Sequence, residues 1–145
     1  MANGNTQDVN DIAGNGMRVA KLTILSASVL TLNTIPIEII PAPGVGYFTE
    51  IIQCSGSLIF NTTPYAAAST INLITDTATV AQFTIAPILN AINSTTRTGQ
   101  FVNASATNAT QCIENKAVYV QVPATDPTTG DSNIIIYAAY RIVTI

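Results

Sequence analysis

The chain contains no histidine and no tryptophan, and only two cysteines among its 145 residues. Without histidine, the commonest general base is missing, and so is the commonest metal ligand. Ser-His-Asp and Cys-His arrangements are excluded within the chain. Cys54 and Cys112 cannot fill a tetrahedral zinc site alone, so no metal or other cofactor is expected. The two thiols read as small buried side chains; a disulfide would need their strands to lie side by side. With no tryptophan there is no Cys…Trp…Cys arrangement, which argues against an immunoglobulin-type sandwich.

Charge is equally scarce. Charged residues make up 9% of the chain, against about 25% in ordinary globular domains. Thr, Asn, Ser and Gln must solvate the surface instead, a composition that suits half-buried pleated sheets and an exterior partly covered by other subunits. The net charge is -3, and the five basic residues, Arg18, Lys21, Arg97, Lys116 and Arg141, are scattered. No basic cluster forms, so neither a nucleic-acid partner nor an anionic membrane surface is expected. The longest apolar run, residues 133–145, contains Arg141 and falls short of the roughly 20 residues needed to span a bilayer. The N-terminus lacks a basic segment followed by an apolar one, so no signal peptide is expected.

The eight carboxylates offer little chemistry. Glycoside hydrolysis needs a close pair. Glu38 and Glu50 flank one turn and are the pair most able to approach, but ordinary ladder positions explain them better. DPTTGD at residues 126–131 lacks the ligand order and closing Glu of an EF-hand; a hairpin tip is the better reading. No phosphate-binding loop occurs, and the GVG at residues 44–46 follows a proline turn rather than a strand. The chain is not expected to be an enzyme.

What the sequence does contain is strand periodicity. Residues 1–17, rich in Asn and Gly, read as a flexible N-terminal arm, and 18–145 as a single β-sandwich domain. Residues 18–25 alternate, with Ala20, Leu22 and Ile24 on one face. One helical turn capped by Ser26 or Ser28 follows, then a strand carrying Ile35, Ile37 and Ile39. PAPGVG at 41–46 is a turn. Residues 47–60 form the longest strand candidate, whose even positions (Phe48, Glu50, Ile52, Cys54, Gly56, Leu58, Phe60) read as its core face, with Gly56 marking a bulge. Residues 70–76 and 79–86 are short strands, with Phe83 and Ile85 inward. At most one strand hides near 100–103, and 117–122 alternates. The last segment, 132–145, is apolar on both faces: Ile134, Ile136, Ala138, Tyr140 and Ile142 on one, Ile135, Tyr137, Ala139, Val143 and Ile145 on the other. One face meets the core; the other is the candidate interface with another subunit. Seven or eight short strands and no long helix predict an all-β, antiparallel two-sheet sandwich of jelly-roll type.

The stretch VAKLTILSASVLTLNTIPIEIIPAPGVGYFTEIIQCSGSLIF resembles the opening of small virion proteins of tailed bacteriophages. Its Leu-rich turn, PAPGxG turn and long following strand carry the likeness, as does the ending AVYVQVP…TGDSNIIIYAAYRIVTI. The resemblance covers both ends of the domain but not residues 61–111. It implies a jelly-roll subunit of the capsid, head or tail, often trimeric. The expected function is a capsid decoration (cement) protein, made in the bacterial host cytoplasm and bound to the capsid surface. Its expected partners are copies of itself and the major capsid protein or other virion proteins. The alternative is a fibre or adhesion module contacting host glycans through Tyr47 and Tyr65.

Overall fold

The computed structural model of the chain describes residues 4, 6–12, 16–66, 69–75, 81–89, 96–100, 102–103 and 113–145. Its elements are β1 (Thr6–Ile12), β2 (Met17–Ile24), α1 (Ser26–Val29), β3 (Ile37–Ile40), β4 (Tyr47–Ile59), β5 (Ser69–Thr75), β6 (Ala81–Leu89), β7 (Arg97–Gln100), β8 (Val102–Asn103), β9 (Val118–Gln121) and β10 (Asn133–Thr144). Two five-stranded sheets result, ordered β1-β2-β10-β4-β7 and β3-β9-β5-β6-β8, here called the first and second sheet.

The pairings are nested. β2 lies with β10, β3 with β9, β4 with β7 and β5 with β6, all antiparallel. The chain is therefore doubled into one long ribbon and rolled, so that successive pairs fall alternately in the two sheets. That is a jelly roll of eight strands. β1 and β8 extend one edge of each sheet. β1 lies within the stretch expected as a flexible arm, yet Thr6 to Ile12 run in register against Thr23 to Met17. The Asn/Gly-rich composition concealed a strand whose partner is the next segment of chain.

Alternation explains the core. Ala20, Leu22 and Ile24 of β2 pack with Ile134, Ile136, Ala138 and Tyr140 of β10, against Ile71 and Leu73 of β5 and Val118 and Val120 of β9. The α1 turn adds Val29 and the following Leu32, both fully buried. Neither serine caps it by a side chain; Leu25 is its N-cap residue, and the Ser26 amide donates instead to Asn133 Oδ1 at 3.0 Å.

β4 departs from its expected pattern. Its register against β10 shifts so that Ala139 faces Gln53 while Tyr140 faces Ile51, leaving Ile52 as the extra residue of a bulge. Above it Cys54, Gly56 and Leu58 point inward; below it the phase reverses and Thr49 and Ile51 are the buried ones. Ile52 is 46% exposed rather than in the core, and the bulge lies at Ile52 rather than Gly56. β6 continues through Pro87 to Leu89, beyond the strand expected at 79–86. Its register against β5 shifts between Ser69 and Ile71, which accommodates a residue that cannot donate to the ladder. The side chains of Phe83 and Ile85, and Cys112 altogether, lie outside the described residues.

Six connections cross between the sheets, and two of them frame the site. The PAPGVG turn joins β3 of the second sheet to β4 of the first, and residues 122–132 join β9 to β10. The latter segment, expected as a hairpin tip, is therefore a crossover arch.

Candidate functional site

β10 is the middle strand of the first sheet, so its second face forms the centre of that sheet's outer surface. Tyr137 is 39% exposed and Ile145 73% exposed, while Ile135, Ala139 and Val143 are half-buried by their neighbours. All five candidate interface residues thus share one outward stripe. Ile52, displaced by the bulge, adds another apolar side chain to it.

Three polar pairs lie in and beside the stripe. Glu50 and Arg141 sit opposite each other in the ladder and form a side-chain ion pair through Arg141 Nε. The carboxylate holds the guanidinium above its ordinary range. Lys21 extends its ammonium over the Tyr137 ring, 6.0 Å from the centroid. Ser57 Oγ and Thr98 Oγ1 hydrogen-bond at 3.0 Å across β4 and β7. Near the middle, Val19, Gln53, Cys54, Ser55, Tyr137 and Ala139 line a shallow depression of about 230 Å³. Cys54 itself is buried, and burial pushes its thiol up to about 12, so it is inert rather than nucleophilic.

The carboxylates are structural. Glu38 lies on β3 of the second sheet, whereas Glu50 lies on β4 of the first and is occupied by Arg141. They do not form the pair that the turn between them suggested. In the arch, Asp126 accepts from the Asn33 amide at 2.6 Å, the Thr34 amide at 3.2 Å and the Thr34 hydroxyl. Asp131 accepts from the Thr62 and Thr63 amides at 3.0 and 2.8 Å, from Asn61 Nδ2 at 3.0 Å and from the Thr62 hydroxyl. Each carboxylate thus ties the arch to a different loop. The hydroxyl bonds hold both acids below the usual carboxylate range, helped by the backbone amides.

A carboxyl whose folded pKa is depressed stabilises the fold above its unfolded value and loses that contribution as pH falls through the folded one. Melting temperature should therefore fall steeply below about pH 4. An Asp126→Asn/Asp131→Asn double variant should melt lower at pH 6 and show a shallower acid limb. Thermal melts from pH 6 to pH 2 check this; parallel acid limbs would remove the two clasps as its cause.

The rings of the glycan reading separate. Tyr47 is 42% exposed, but Tyr65 is only 1% exposed, in the core, its hydroxyl donating to the Ser132 carbonyl. Burial, with the Asp131 charge nearby, pushes its phenol well above the ordinary range. It is a packing residue and not a surface contact; its place among loop residues hid that.

No family model matches the sequence, and no curated protein matches it. In fold, the chain is similar to a chain of the cyanophage Pam1 capsid asymmetric unit, at 16% identity and a TM-score of 0.52, over 91% of this chain and 89% of that one.

Proposed function

We propose that this chain is a structural virion protein of a bacteriophage: a non-catalytic decoration (cement) subunit. In this reading it binds the outer surface of the capsid as a homotrimer and stabilises the head against the pressure of packaged DNA. The observation that carries the reading is the apolar outward stripe of β10, in the middle of a sheet that, among the described residues, has no second layer on that side. Covered apolar area contributes roughly 25 cal/mol per Å², so sister copies burying it gain free energy that an isolated protomer forgoes. The fold shared with a chain of a phage capsid unit supports the virion setting, and the low charge suits a protein that works by contact.

Phage particles containing the chain provide the test. Immunogold labelling or a density map is expected to place it on the outside of the head. Heads lacking it are expected to release DNA at a lower temperature than complete ones. Finding the chain on the tail, or absent from purified particles, overturns the decoration role.

A further inference from the structure

Four large apolar side chains stand in water at one corner of the molecule: Val45 at 79% exposure, Ile145 at 73%, Tyr47 at 42% and Ile113 at 38%. Backbone bonds bring their segments together, with the Ile145 amide donating to the Gly46 carbonyl at 3.0 Å and the Asn115 amide to the Tyr47 carbonyl at 2.8 Å. Val45 is the tip of PAPGVG, and that tip is held. The Gly44 amide donates to Asn115 Oδ1 at 3.0 Å, the Gly46 amide to Glu114 Oε1 at 2.7 Å and the Tyr47 amide to the Gly44 carbonyl at 3.2 Å. Gly44 and Gly46, at φ of 106° and 84°, supply backbone that other residues rarely adopt. Fixing a valine in water adds nothing to the core, whereas an apolar tip ordered in advance lowers the entropy cost of docking.

The depression beside Tyr137 lies on the same sheet, lined on β4 by Gln53 and Ser55, with Gln53 opposite Ala139 in the register. From Tyr47 to Gln53 is six residues, or roughly 20 Å at about 3.3 Å per residue, so a protomer cannot fill its own depression. We propose that Val45 of one copy of this chain docks in the depression of the next, between Val19, Tyr137 and Ala139. Tip and depression are different surfaces, so the contact is head-to-tail and builds a ring where the rotation closes. Charge favours a second copy as the occupant. Glu114 is bound at the tip, and Lys21 leans over Tyr137 at the depression, so docking brings acid to base. Lys116 lies two residues beyond Glu114, and Asp8 stands opposite Lys21 in the ladder register. This inference rests on the self-association in the proposed function, but not on where the oligomer binds.

The test uses the full chain in solution, with mass measured by light scattering. Val45→Asp and Ala139→Trp are each expected to turn the oligomer into monomers, with circular dichroism and melting temperature of the fold retained. Mixed in equal amounts, they should form a species of two chains, because one keeps its depression and the other its tip. Tyr137→Asp replaces Ala139→Trp where the latter fails to fold. Lys21→Glu should weaken assembly several-fold, because it removes the rim charge that Glu114 meets. Folded variants that stay oligomeric, or monomeric variants that form no pair on mixing, overturn the proposal. A wild-type chain that is monomeric at its highest soluble concentration overturns it together with the trimer. Assembly by this contact without particle binding would instead leave it standing and remove the decoration role.

Discussion

Ile136→Ala is expected to lower the unfolding free energy by about 4 kcal/mol, towards the upper end of the 2–5 kcal/mol seen for such truncations. For a chain of this size that corresponds to a fall of roughly 12 °C in melting temperature. Ile136 is fully buried and sits on the middle strand of its sheet, opposite Leu22 on one side and Gly56 on the other. Gly56 has no side chain to move into the vacated space, and its own far neighbour in the ladder is Gly99. The cavity therefore stays open, and an open cavity costs more than one that collapses. Ile135→Ala, one residue away on the outer face, is the control and should cost under about 1 kcal/mol in a dissociated protomer. Denaturant unfolding of both variants decides the matter. Equal losses would mean that the two faces of β10 are not divided between core and surface as described.

Gly130→Ala should be comparably damaging, at about 2–6 kcal/mol, for a different reason. Gly130 has φ of 120°, a conformation that costs other residues of order 1–3 kcal/mol. In addition, a Cβ at this position would overlap the Tyr65 ring, and overpacking of that kind costs a further 1–3 kcal/mol or so. Tyr65 cannot retreat, because it is buried and its hydroxyl is bound to the Ser132 carbonyl. The two contributions are separable. In a Tyr65→Leu background the ring is gone and only the backbone strain remains, so alanine at 130 should cost less there than in the native background. Full additivity of the two substitutions would show that ring and glycine do not touch. The same packing bears on the glycan reading: Tyr65→Ala should abolish any ligand binding simply by unfolding the arch, and so cannot identify a contact residue.

Much of the fold was legible. The alternation of Ala20, Leu22 and Ile24, of Val118 and Val120, and of the two faces of β10 placed those strands correctly. The PAPG turn and the absence of long helices pointed to a sandwich, and the nested order of strands is the jelly roll those signals predicted. The outward face of β10 was legible too, as a strand with apolar residues on both sides. The rest was not. Ile52 was assigned to the core and lies outside; Tyr65, a glycan contact only under the alternative reading, lies inside. The Asp126 and Asp131 clasps passed for turn residues.

Along a single strand, side chains alternate because the pleat has a period of two, and this local geometry is written residue by residue into the sequence. Composition and the lack of histidine follow from the chain alone in the same way. A bulge, by contrast, is a mismatch between two strands, and one inserted residue at Ile52 reversed every face assignment below it. The clasps and the Ser26–Asn133 bond join residues 68 to 107 positions apart. Only the rolling of the ribbon decides which loops meet, because no short-range pattern records which distant amide a carboxylate will find.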